Sequence, residues 1–153
     1  MKKILLMVCS WAMLLMGAIS FNSCGDDDDA NDQVTNGGSS SSSAASIMEK
    51  YKNFEGVKVD GDIVVYSDPS SMGFPYVSIF EFNGDKVVRN ISYLDYKNET
   101  LAKLAYEEAA KEDGVKNLKL EGTIISFEEE LDEDVIGMSK SDLVAYYSED
   151  FEL

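Results

Sequence analysis

Tyr76-Val77-Ser78-Ile79-Phe80-Glu81-Phe82-Asn83-Gly84-Asp85-Lys86-Val87-Val88-Arg89-Asn90-Ile91-Ser92-Tyr93-Leu94 places β-branched and aromatic residues on both sides of a turn signal. In an extended chain successive side chains alternate, so Tyr76, Ser78, Phe80 and Phe82 share one side while Val77 and Ile79 point the other way. Both faces of this segment therefore carry residues that need cover. Asn83-Gly84 accommodates the positive backbone angles of a type I′ turn, which predicts a tight hairpin into residues 87–94. An antiparallel pair at the middle of the chain sets the fold class.

Working upstream, Val57-Lys58-Val59 and Ile63-Val64-Val65-Tyr66 are further β-branched runs. Asp60-Gly61-Asp62 between them reads as a hairpin turn or as a bulge in one long strand. Before them Ser46 and Glu49 have capping-box spacing, and Ile47, Met48, Tyr51 and Phe54 fall on one helical face, predicting a short helix that ends near Gly56. Downstream, Asn98 is placed to cap a helix with an apolar stripe of Leu101, Leu104, Ala105 and Ala109, Tyr106 beside it and Gly114 as its stop. Residues 118–127 read as one more strand and residues 128–134 as an acidic turn. Ser139 and Asp142 then open a last helix docked through Leu143, Val144, Tyr146 and Tyr147. With no alternating βαβ pattern and no internal repeat, this order predicts an α+β fold: a small antiparallel sheet of three to five strands with helices packed mainly on one face.

The chain divides into three parts on composition. Residues 1–23 begin with Lys2 and Lys3 and continue as an apolar run from Ile4 to Ile19 interrupted only by Ser10 and Gly17, the pattern of a secretory signal peptide. Residues 24–45 hold four consecutive aspartates, Gly37-Gly38 and a serine run from Ser39 to Ser43, a composition that forms a flexible tether and no core. Residues 46–153 are the single globular domain, long enough to bury roughly 60% of its extended-chain surface without disulfide support.

Ser20-Phe21-Asn22-Ser23-Cys24-Gly25 resembles the lipobox of bacterial lipoproteins, whose cysteine is acylated and becomes the new N-terminus. Ser23 matches the small residue wanted before the cysteine, and Phe21 replaces the usual leucine, as in the looser lipoboxes of the Bacteroidota. Gly25-Asp26-Asp27-Asp28-Asp29 is similar to the acidic export signal of Bacteroidota surface lipoproteins. The resemblance implies lipid attachment at Cys24 and an outer-membrane, cell-surface address, with the membrane a partner through the anchor. It covers residues 1 to 29 and implies nothing about the domain beyond its address. The plainer alternative is a secreted protein cut near Ser20, with Cys24 left as a free thiol. Cys9, the other cysteine, lies in the signal segment, so the mature domain forms no internal disulfide.

Residues 46–153 carry 24 acidic and 11 basic side chains, a formal charge of −13. That balance argues against nucleic acid as a partner, because phosphate neutralisation needs basic surface, and against direct docking on anionic lipid heads. The chain contains no histidine, which removes serine–histidine arrangements and histidine metal ligands. Neither GxxxxGK[ST] nor GxGxxG occurs. No cofactor and no metal site is therefore expected. The carboxylates of Glu128-Glu129-Glu130 and Asp132-Glu133-Asp134 are the groups from which a hydrolase pair or a cation site could be built, and their plainer reading is a solvated turn.

Asp68-Pro69-Ser70-Ser71-Met72-Gly73-Phe74-Pro75 holds both prolines and offers Met72 and Phe74 among turn formers. Loops on rigid scaffolds often bind partners. The alternative for Phe74 is a side chain tucked into the edge of the core. Among the eight tyrosines Tyr96 is the one expected to be exposed, which makes Met72, Phe74 and Tyr96 the candidate binding residues. The function these features suggest is a non-catalytic module for an envelope protein or glycan; the alternative is a carboxylate-dependent hydrolase acting on surface polysaccharide.

Overall fold

The computed structural model describes residues 43–70, 73–112 and 114–149. Helix α1 spans Ala44–Tyr51, followed by strands β1 (Gly56–Asp60), β2 (Ile63–Asp68), β3 (Tyr76–Asn83) and β4 (Lys86–Asp95). Helix α2 (Glu99–Ala109) leads to β5 (Lys116–Glu121) and β6 (Ile124–Glu129), and helix α3 (Lys140–Ser148) follows. All six strands form one antiparallel sheet in the order β1-β2-β3-β4-β6-β5. The architecture is α+β, with more strands than the three to five expected. The extra strand comes from residues 118–127, which form two strands joined by a turn at Gly122-Thr123.

Three two-residue turns shape the sheet by one device. Asp60 pairs with Ile63, Asn83 with Lys86 and Glu121 with Ile124, leaving Gly61-Asp62, Gly84-Asp85 and Gly122-Thr123 as the loops. The glycines have φ of 64°, 64° and 61°, while the residues after them do not have positive φ. Glycine at the first loop position, followed by an ordinary residue, is the arrangement of a type II′ turn, whose twist matches that of the flanking strands. The central hairpin thus exists as expected, but Asn83 is its last strand residue and the turn sits one residue later than a type I′ Asn-Gly loop. Asp60-Gly61-Asp62 is a hairpin turn and not a bulge.

The strands pack on both faces, which explains the five consecutive buried residues of β3 from Tyr76 to Phe80. On one face α1 covers Val65, Val77, Ile79 and Ile124 with Ala44, Met48 and Tyr51. On the other, α3 sets Leu143 and Tyr147 against Val64, Phe80 and Val87. Beside it, α2 sets Ala102 and Ala105 against Tyr76, Leu94 and Ile125. Of the three helices among the described residues, two therefore share a face.

Helix boundaries follow their caps. Ser46 does not cap α1; the N-cap is Ser43, whose hydroxyl accepts from the Ser46 amide at 3.3 Å. The helix takes in Ala44 and Ala45, which composition assigns to the tether. Ala44 is 3% exposed and its amide donates to Glu121 Oε2 at 3.0 Å. Asn98 and Ser139 cap α2 and α3 as their sequences suggest, accepting from the amides of Leu101 and Asp142. The buried stripe of α2 is Ala102, Ala105 and Ala109, whereas Leu104 is 42% exposed. Small residues let this helix lie close to the sheet, and that rotation turns Leu104 outward.

Candidate functional site

Between the parts of the sheet covered by α2 and α3, the floor is polar. Pairing brings Ser78 opposite Ser92, Phe80 opposite Asn90 and Asn90 opposite Glu129, so Ser78, Asn90, Ser92 and Glu129 share the face that these helices cover. Ser78 and Ser92 are fully buried and Asn90 nearly so. Burying such groups is tolerable only when they are hydrogen bonded, and each has a partner. The Ser78 hydroxyl donates to Asn90 Oδ1 at 2.5 Å. The Tyr76 hydroxyl lies 2.8 Å from Ser92 Oγ and donates to Glu129 Oε1 at 3.1 Å, and Ser92 donates to the same carboxyl oxygen.

Glu129 is the residue whose setting sequence reading missed. Residues 128–130 were expected to belong to a solvated turn, but Glu128 and Glu129 complete β6 and their side chains leave on opposite faces. Glu128 accepts from Arg89 Nε at 3.0 Å and from Asn117 at 2.7 Å, which hold its carboxyl below the ordinary range. Glu129 keeps part of its surface exposed, yet its carboxyl group is enclosed. Burial, reinforced by Asp132, pushes it above the ordinary range against the hydrogen bonds from Ser92 and Tyr76. Burial also pushes the Tyr76 phenol well up. The two-residue alternation that separates Glu128 from Glu129 was readable once β6 was extended by two residues.

The candidate binding residues do not converge on an open surface. Cys24 and Met72 lie outside the described residues. Tyr96, expected to be exposed, is 5% exposed, and burial raises its phenol pKa. Phe74 packs on it with ring centroids 4.9 Å apart, tilted by 44°. Phe74 thus takes the core-edge role that was its alternative, and both rings belong to the cluster under α2. Tyr96 is drawn inward because its amide donates to Thr123 O at 2.9 Å, which ties the exit of β4 to the β5–β6 turn.

The other carboxylates near turns are engaged separately. Asp60 accepts from the Tyr51 hydroxyl at 2.7 Å and pairs with Lys50 at 2.8 Å. Asp95 accepts from Thr123 Oγ1 at 2.7 Å and from the Lys97 amide at 2.9 Å. Among the described residues no group of three or more potential ligands is placed to hold a metal ion, and no buried side-chain nitrogen or oxygen lacks a hydrogen-bond partner. Chemically, the cluster can store a proton; Ser92 is sealed from solvent and is not placed to attack a substrate. No helix among the described residues is long and apolar enough to cross a membrane. Compared with family models, with curated proteins and with solved structures, the chain matches none.

Proposed function

We propose that the chain is a lipoprotein attached to the outer membrane through Cys24, which displays its domain at the cell surface as a non-catalytic binding or interaction module. The observation that carries this reading is Ser23-Cys24 at the end of an apolar leader, followed after Gly25 by Asp26-Asp27-Asp28-Asp29. A single acyl chain holds a protein only marginally, at ~0.8 kcal/mol per buried methylene, so the reading requires a multiply acylated cysteine. Support from the fold is indirect. The carboxylates near its turns are used one by one in local hydrogen bonds and ion pairs.

The alternative of a hydrolase acting on surface polysaccharide has one observation in its favour, the Glu129 carboxyl raised by burial with Asp132 nearby. A general acid needs such a shift. Against it, Ser92 and Tyr76, the groups that hold this carboxyl, are buried and give a sugar no approach.

Metabolic labelling of the producing cells with an alkyne-bearing fatty acid tests the anchor. The wild-type chain is expected to take up label and partition with the outer membrane, and Cys24→Ala to lose both properties. Protease treatment of whole cells should then degrade the wild-type domain. An unlabelled wild-type chain recovered from the soluble fraction would reject the lipoprotein reading.

A further inference from the structure

The open sheet has two edges, β1 and β5. An edge strand presents a row of unpaired N–H and C=O groups, and proteins blunt such rows with bulges and lysines. β5 carries both devices. Its pairing with β6 slips between Lys116 and Lys119, Asn117 takes a φ of 52°, and both lysines are exposed. β1 pairs with β2 from Gly56 to Asp60 without a slip.

Register decides which groups β1 leaves open. Asp60 and Ile63 close the two-residue turn as a hydrogen-bonded pair, and bonded pairs alternate with non-bonded ones along an antiparallel ladder. Gly56, Lys58 and Asp60 therefore turn their backbone groups to β2, whereas Val57 and Val59 turn theirs outward. Among the described residues no hydrogen bond reaches the amide or carbonyl of either valine. The Val59 side chain is 49% exposed.

The side chains of β1 define what fits this edge. A strand laid antiparallel on it forms bonded pairs at Val57 and Val59. Its residue opposite Lys58 then takes a non-bonded position, where facing side chains approach most closely. Lys58 is held on the α1 face, with Nζ 4.1 Å from the centre of the Phe54 ring and 5.5 Å from that of Tyr51. Among the described residues it forms no ion pair, so a carboxylate opposite it supplies the missing partner. The flanking residues of the added strand fall on the other face, beside Val57, which packs on the apolar cluster under α3. A second copy fits badly. The register that joins both valines of one chain to both of the other sets Lys58 against Lys58, and each domain carries a formal charge of −13.

We propose that the free edge of β1 is a docking site for an extended segment of a partner protein, which adds a strand antiparallel to β1 and sets an acidic residue, flanked by apolar ones, against Lys58. The main-chain bonds to Val57 and Val59 supply affinity, and the alternating side chains supply selectivity. The inference rests on the interaction-module reading and is independent of the anchor: fatty-acid labelling through Cys24 and peptide binding at β1 succeed or fail separately.

The test titrates the full nitrogen-15-labelled chain with two capped pentapeptides, Thr-Val-Glu-Val-Thr and Thr-Val-Lys-Val-Thr. The glutamate peptide is expected to shift the resonances of β1, to slow amide exchange at Val57 and Val59, and to bind roughly fivefold more tightly than the lysine peptide. Lys58→Glu should reverse that preference. Val59→Pro removes an N–H that no internal bond uses, so it should bind neither peptide while the spectrum of the rest of the sheet is kept. Should Val59→Pro fail to fold, the reversal in Lys58→Glu decides. Unchanged exchange at Val57 and Val59 overturns the proposal, as does equal binding of the two peptides to wild type. A wild-type dimer in sedimentation that Val59→Pro abolishes overturns it as well, because a second copy then occupies the edge.

Discussion

Asp95 and Glu129 sit on neighbouring strands, and burial pushes both carboxyls upward, yet they end on opposite sides of the ordinary value. The difference lies in the donors. Glu129 receives two neutral hydroxyls, whereas Asp95 receives the Lys97 ammonium at 2.6 Å together with the Lys97 amide and the Thr123 hydroxyl, and the net shift is downward. This bonding also holds Lys97 at a φ of 56°, a backbone conformation unusual for a residue with a side chain. A depressed carboxyl contributes stability that is present above its unfolded-state pKa and lost as pH falls through the folded-state value. Asp95→Asn should therefore melt lower than wild type at pH 7, and the gap should close as pH is lowered toward 3. Melting curves across that range check it; a gap of constant size would mean that Asp95 acts through geometry and not through charge.

At the scale of elements, α1 begins where a serine hydroxyl reaches a free amide, and that serine is Ser43. Ser43→Ala removes the cap and should cost about 1 kcal/mol. Ser46→Ala removes only a serine–serine contact of 3.0 Å, and thermal unfolding should show a markedly smaller loss. Equal losses would restore Ser46 as the cap. The capping-box spacing of Ser46 and Glu49 puts the start of this helix three residues late, and a run of five serines offers several starts. What separates them is tertiary: only a start at Ala44 buries that alanine and brings its amide to Glu121. The central hairpin and the caps of α2 and α3 were legible because each depends on local chemistry, a glycine at positive φ or a side chain reaching its own backbone. The split of residues 118–127 was legible in principle, since Glu121-Gly122-Thr123 repeats the form of Asp60-Gly61-Asp62 and Asn83-Gly84-Asp85. Leu118 and Leu120 before this triplet and Ile124 and Ile125 after it read as one continuous strand and masked it. The enclosure of the Glu129 carboxyl and the burial of Tyr96 were not legible, because both arise from contacts between segments far apart in the chain.

For the whole molecule the dominant electrostatic fact is charge of one sign. Residues 46–153 hold 24 acidic against 11 basic side chains, and folding brings this excess into a smaller volume. Attractive pairs offset part of the repulsion, but those of Lys50, Lys52, Lys97 and Lys111 have lysine side chains more than half exposed. Exposed pairs contribute only about 0–1 kcal/mol each and are themselves screened by salt. The two effects oppose each other when salt is added: screening weakens the pairs, and it also weakens the repulsion. Repulsion acts between many charges over distances comparable to the Debye length, which falls from about 30 Å at 0.01 M to about 8 Å at 0.15 M. The pairs act at contact, where that change matters least. Raising sodium chloride from 0.01 to 0.15 M at pH 7 should therefore raise the melting temperature. The increase should shrink at pH 4, where much of the carboxylate charge is gone, and sucrose at equal osmolality serves as the uncharged control. A melting temperature that falls with salt at pH 7 would mean that the surface pairs, Arg89 with Glu81 and Glu128 foremost, outweigh the repulsion.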